Sequence, residues 1–360
     1  MTTEFIWQLP TAGDGRYGYA KATRRGERLD DKPIFNAGIS DPRGTRFNYF
    51  DYLHQIARAA DLSGFDGLRI PNTPDGDESW IVAGYVARGT RHLKLLTEFD
   101  AARGSAVYAA KNAASYQRFS GGRFAWQIGS GATEQQRHQL GDYADAADVL
   151  PRIEEFIEVA RGVLTTSPFN FKGKFFEVLN GGFNGPLANN PVPLIYLSGH
   201  SEAALQLSAR QADVHILNAA PLSSLRPAIE NINQLAAVQQ RSLAIGLRID
   251  VLARETEAEA LRDAERFIAQ SSRFIEATQR ARGAVIAPHL WADFAVDSTG
   301  AAATLVGSYA QIAERLTTYA NAGINSFLLG AAPHLEEAYR IGEYVLPKVR
   351  DNLAAIETAA

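Results

Sequence analysis

Gly323-Ile-Asn-Ser-Phe-Leu-Leu-Gly330, then Ala331-Ala332-Pro333-His334, then Leu335-Glu-Glu-Ala-Tyr-Arg-Ile-Gly-Glu-Tyr-Val345 is the stretch that decides the architecture. The first segment has the length and apolar content of a short buried strand, and the last repeats its apolar residues at helical spacing. Pro333 ends the extended segment, because its ring removes a backbone donor and restricts the residue before it. The short loop between strand and helix therefore puts an ionisable ring, His334, at a strand's carboxyl end. In barrels built of strand-helix units the chemistry sits at that end.

The same alternation runs through the chain, with short apolar runs separated by longer stretches of helical period. Eight strands are predicted, at Phe5-Leu9, Gly67-Ile70, Leu93-Thr97, Arg123-Ile128, Pro193-Leu197, Val214-Leu217, Ala244-Ala253 and Asn325-Leu329. The helix after the second strand is expected to start near Ser79, the third to cover about Ala106-Phe119, and the fifth to start near Glu202. Eight such units in 360 residues predict an α/β protein, a single-domain (β/α)8 TIM barrel. Three spacers are too long for a bare barrel: 11–46, 130–192 around a central helix, and 269–303. Long excursions of this kind are expected to be lids or subunit contacts, and Ala269-Ala303 is the expected lid.

Composition narrows the function. With 46% hydrophobic and 10% aromatic residues the chain can bury a large core, and a net charge of -4 offers no field for nucleic acid. No run approaches the ~20 apolar residues of a membrane helix, and the N-terminus lacks the features of a secretion signal, so the cytoplasm is the expected location. The absence of cysteine excludes disulfides, thiolate metal sites and a cysteine nucleophile. His138, His215 and His289 show no metal-ligand spacing, and no metal site is expected.

Four segments carry a more specific signal: Trp7-Gln-Leu-Pro-Thr-Ala-Gly-Asp-Gly-Arg-Tyr17, Ser120-Gly-Gly-Arg123, Gly246-Leu-Arg-Ile-Asp-Val-Leu-Ala-Arg-Glu-Thr256 and Ala332-Pro-His-Leu-Glu-Glu-Ala-Tyr-Arg340. On these the chain resembles the bacterial luciferase-like flavin monooxygenases, and within them the alkanesulfonate monooxygenases. The resemblance implies a homodimer or homotetramer that receives FMNH2 from a separate NAD(P)H:flavin reductase. It also implies that dioxygen is used through a C4a-(hydro)peroxyflavin to oxidise a small organic substrate. A deazaflavin (F420)-dependent reductase or dehydrogenase, or a non-catalytic flavin-binding barrel, is the alternative.

Carried over residue by residue, the resemblance implies active-site roles for Arg248 and His334 and draws attention to Asp250, which stands where those enzymes have a histidine. Other matching positions are altered: Ala12 for a histidine, Ala332 for a tyrosine, about Gly76 for a cysteine, and no basic residue near Asp297-Ala303. A sulfonate needs cationic partners to offset its desolvation, so these changes point to a different substrate. For the flavin, Ser198, Gly199, His200 and Ser201 fall where the family holds the phosphate, with Leu150 in place of a tyrosine. Thr97, Glu98, Gln127 and Ser130 are the expected contacts of the ring. Plainer roles stand beside these: His334 as a helix-end residue, Arg248 in an ion pair with Asp250 or Glu98, and Ser198-Ser201 as an ordinary helix cap.

Overall fold

The computed structural model describes residues 3–13, 28–29, 32–33, 48–74, 76–129, 133–271, 284–292 and 303–359. In chain order the principal strands are β1 (Glu4–Gln8), β2 (Gly67–Ile70), β3 (Lys94–Asp100), β4 (Phe124–Gly129), β5 (Leu194–Ser198), β6 (Val214–Asn218), β7 (Ala244–Arg254) and β8 (Ser326–Gly330). The principal helices are α1 (Tyr49–Leu62), α2 (Ser79–Ala87), α3 (Ala106–Ser120), α4 (Val149–Thr165), α5 (Glu202–Gln211), α6 (Leu222–Val238), α7 (Glu257–Ser271), α8 (Tyr309–Asn321), α9 (His334–Tyr344) and α10 (Leu346–Ala359). A strand followed by a helix recurs eight times, which is the fold class read from the sequence, a (β/α)8 barrel.

The elements pack into two compact units. The first comprises Met1–Leu93, Asn218–Ile229 and Gly246–Ala360. Its strands run parallel in the order β2, β1, β8, β7. One face carries the helices: Phe5 stacks on Phe327 at 5.5 Å, and Arg350 of α10 lies over the Phe5 ring. All five residues of β8 are buried, as a strand covered on both faces must be. The second half of β7, Asp250–Arg254, pairs in parallel with Ala303–Ser308. That strand in turn carries Leu290–Ala292 and Ala284–Ala287 in antiparallel order, so part of the expected 269–303 lid is sheet. Residues 272–283 and 293–302 of that spacer, and most of 11–46, lie outside the described residues.

The second unit comprises Lys94–Leu217 and Glu230–Ile245, with β3, β4, β5 and β6 parallel in that order. Phe99 and Trp126 pack against Phe156 of α4 and mark its helix-bearing face. The 130–192 spacer contains a hairpin, Phe169–Lys172 with Glu177–Gly181. The Glu155 carboxylate holds its turn by accepting the Lys174, Phe175 and Phe176 N–H groups at 2.8–3.2 Å. Among the described residues, no helix is long and apolar enough to cross a membrane.

Most strand ends differ from expectation by one residue, and two differences are larger. β3 runs to Asp100 rather than Thr97, because the Asp100 side chain accepts the Ala102 N–H and starts a 3-10 turn there. His334 is not on a loop but is the first residue of α9, with Pro333 at the cap and the Glu337 N–H closing the turn on the Pro333 carbonyl.

Candidate active site

Side chains alternate across a strand, so parallel register fixes which residues share a face. In the first unit Gln8 pairs with Arg69, Trp7 with Leu329, and Gly330 with Asp250. Arg69, Gln8, Gly330 and Asp250 therefore form one row near the carboxyl ends of the strands, on the face away from the helices. Arg248 lies on the same face two residues earlier. Arg69 and Asp250 are each 2% exposed and Gln8 4%. The Arg69 guanidinium donates to Gln8 Oε1. Gly330 interrupts the row and leaves backbone within reach of a ligand.

Arg248 is half-buried, and its Nε and Nη2 both donate to Asn218 Oδ1, at 3.2 and 2.8 Å. Asn218 ends β6, and the neighbouring Ala219 N–H bonds the Arg248 carbonyl at 3.0 Å, so one strand end fixes both backbone and head group.

His334 is 1% exposed and meets the Trp7 ring edge-on, with 6.0 Å between centroids. Trp7 is on the opposite face of β1 from Gln8, so this contact is with the helix side of the sheet rather than with the Arg69–Asp250 row. One turn further along α9, Glu337 is 1% exposed and accepts from Arg254 at 3.1 Å and from Arg340. Burial pushes the Glu337 carboxyl up, and the two guanidiniums pull against that shift. Asp263 of α7 takes the Arg254 Nε at 2.5 Å; burial opposes its ionisation, but the arginines hold its pKa below the usual carboxylate range. The first turn of α9 is thereby tied to the end of β7 and to α7.

In the second unit Glu98 and Gln127 are partners in register, and Gln127 Nε2 donates to Glu98 Oε1 at 3.1 Å. Gln127 also pairs with Tyr196, which puts Ser198, two residues on, on the same helix-free face. Thr97 does not join them. It pairs with Trp126, is fully buried, and belongs to the helix side with Phe99, so strand alternation removes it from the expected ring contacts. Ser130 lies outside the described residues.

The turn from β5 into α5 is built on a glycine. Gly199 adopts φ +141°, and a Cβ there would come within 2.6 Å of the Ala204 Cβ, so the backbone is bare by necessity. Ser201 caps α5 by accepting the Ala204 N–H at 3.2 Å. The plainer reading of Ser201 thus holds, while the leading N–H groups and dipole of α5 face the turn. His200 is exposed. Beneath the turn, His215 of β6 is fully buried, with Nδ1 at 2.8 Å from Ser208 Oγ of α5.

Gly76, about where the related enzymes carry a cysteine, has no room for a side chain. A Cβ would lie 2.4 Å from Thr73 Oγ1 and 3.1 Å from Thr11 Oγ1. Among the described residues no group of three His, Cys, Asp or Glu side chains could hold a metal ion. Sequence reasoning missed Arg69, Gln8, Asn218 and His215. Arg69 and Gln8 had a readable signal, a charged or amide side chain inside a four- or five-residue apolar strand.

Residues 6–326 match the family model described as luciferase-like monooxygenase. Similar solved structures include EDTA monooxygenase (EmoA) from Chelativorans sp. BNC1, at 17% identity and TM-score 0.73, covering 98% of this chain and 94% of that one. Riboflavin lyase (RcaE) with modified FMN and riboflavin matches at 16% identity and TM-score 0.72, covering 98% and 92%. The F420-dependent tetrahydromethanopterin reductase of Methanopyrus kandleri matches at 16% and 0.66, covering 96% and 99%. These likenesses are likenesses of fold.

Proposed function

Because the chain belongs to the luciferase-like monooxygenase family, we propose that it is a two-component monooxygenase that takes FMNH2 from a separate NAD(P)H:flavin reductase and uses dioxygen to oxidise a small organic substrate. The observation that carries the flavin reading is the Ser198–Ser201 turn. Its bare Gly199 backbone and the amino end of α5 fit a phosphate. Ser198 and His200 would add side-chain donors, and the Glu98–Gln127 pair would meet the polar edge of the ring. Bound reduced flavin would supply the electrons that activate dioxygen.

The chain's own residues then have distinct tasks. Arg248, oriented by Asn218, meets negative charge on the substrate or on oxygen. His334, set by Trp7 at the start of α9, supplies or holds a proton at the carboxyl end of β8. Within the Arg69–Asp250 row Asp250 offsets the charge of Arg69, beside Arg248 two residues earlier on the same face. A neutral row with a hydrogen-bonding amide suits an uncharged polar substrate, with an organosulfur compound included, better than a simple alkanesulfonate. A homodimer or homotetramer in the cytoplasm completes the proposal.

The test is a substrate screen with FMN, NADH and a general flavin reductase, followed by mass spectrometry for oxygenated products and by an assay for sulfite. Oxygenated product from uncharged compounds, without sulfite from simple alkanesulfonates, is expected. Sulfite from those alkanesulfonates contradicts the substrate reading, and turnover with reduced F420 in place of FMNH2 contradicts the cofactor reading.

A further inference from the structure

We infer that Glu337 is a positioning residue for His334, acting through the first turn of α9; this rests on the proton role of His334 proposed above. α9 starts without a side-chain cap, so its first turn depends on other ties. Two such ties flank His334, and both reach the same two elements, β7 and α7. Two residues before it, Ala332 is 3% exposed and lies in an apolar cluster with Leu252 of β7 and with Ala260, Ala264 and Phe267 of α7. Three residues after it, Glu337 accepts at 3.1 Å from Arg254 at the end of β7, and Arg254 Nε donates to Asp263 of α7 at 2.5 Å.

The backbone carries this hold to His334. The Glu337 N–H donates to the Pro333 carbonyl at 3.1 Å, which closes the turn that contains His334. The side chain of the same residue is held twice, Oε2 by Arg254 and Oε1 by Arg340. Arg254 is fixed to its own strand, because its Nη1 also donates to the Ala253 carbonyl at 2.7 Å. A buried carboxylate cannot leave such partners without a large cost in uncompensated charge. Residues three apart on a helix share a face, and His334 and Glu337 are both 1% exposed. Trp7 thus meets the His334 ring, while Glu337 sets the turn that bears it. α7 runs to Ser271, into the 269–303 spacer, so the same joint refers His334 to the root of that spacer.

A residue that acts through His334 has no effect once His334 is gone, whereas a merely structural residue keeps its effect. Reoxidation of bound FMNH2 reads this without an organic substrate, since FMNH2 and dioxygen give FMN and hydrogen peroxide, with both hydrogens passing to oxygen. The experiment is anaerobic loading with FMNH2, rapid mixing with oxygenated buffer, and the rate at which oxidised flavin appears. Wild type, His334→Gln, Glu337→Gln and the double variant are compared, with thermal melting as a folding control. His334→Gln is expected to change the rate at least about tenfold. Glu337→Gln is expected to change it in the same direction at least about twofold, with FMNH2 affinity unchanged, and to add nothing in the double variant. Arg254→Lys keeps the charge but loses the planar fork that spans two carboxylates, and the same non-additive pattern is expected of it should Glu337→Gln fail to fold. Glu337→Gln and Arg254→Lys at the wild-type rate, or effects that multiply with that of His334→Gln, overturn the assignment and leave the role of His334 standing. His334→Gln at the wild-type rate overturns that role and the assignment with it. Wild-type protein that binds no FMNH2 overturns the flavin reading and both.

Discussion

Arg248 and Asn218 face each other across adjoining strand ends, with the guanidinium Nη2 at 2.8 Å and Nε at 3.2 Å from the Asn218 carbonyl oxygen. The shared acceptor sets the plane of the guanidinium. Lysine cannot reproduce a planar fork. Arg248→Lys is expected to lower kcat/KM on the substrate found by screening at least about tenfold, with FMNH2 affinity unchanged. Steady-state kinetics beside an anaerobic flavin titration separate the two effects.

Glu337 is enclosed between Arg254 and Arg340 with 1% exposure. Removing Arg254 takes one of two guanidiniums from a buried carboxylate. Arg254→Met is expected to cost about 3–5 kcal/mol in urea unfolding, while the paired change Arg254→Met with Glu337→Leu is expected to recover much of that. Additive losses in the double variant would show that the pair is not coupled.

Gly199 carries a positive φ and a Cβ clash at 2.6 Å. Gly199→Ala is expected to destabilise the protein by about 1–3 kcal/mol and to weaken FMNH2 binding, both measurable in the same preparation.

His215 gives a pH signature. Its folded pKa of about 4 lies below the unfolded value of roughly 6.5, so between those values the unfolded chain binds a proton that the folded chain does not. Stability from the neutral ring is complete above the unfolded pKa and is lost as pH falls toward the folded one, by about 3 kcal/mol in all. Urea unfolding of wild type and His215→Gln at pH 7 and pH 4 should show the wild type losing that much more than the variant. Parallel pH profiles would contradict the buried neutral ring.

Much of the fold was legible because both faces of these strands are covered: an apolar run of the right length, bounded by turn residues, has few other readings. Strand ends were less so. The extension of β3 to Asp100 depends on a side-chain cap that periodicity does not report. Among the expected site residues, Arg248 and Asp250 share a face, as do Glu98 and Gln127, while Thr97 lies on the opposite face from Glu98, because its register with Trp126 is a property of the sheet. Asn218 and His215 were missed for the same reason. Each matters through a neighbour on another element, Arg248 thirty residues after Asn218 and Ser208 seven residues before His215.

The most direct test of the monooxygenase reading is anaerobic titration with FMNH2 followed by rapid mixing with oxygenated buffer. The account predicts saturable binding of about one FMNH2 per chain, and oxidised flavin that reappears more slowly than from free FMNH2, because the site excludes water. Failure to bind FMNH2, or reoxidation at the rate of the free flavin, would contradict it.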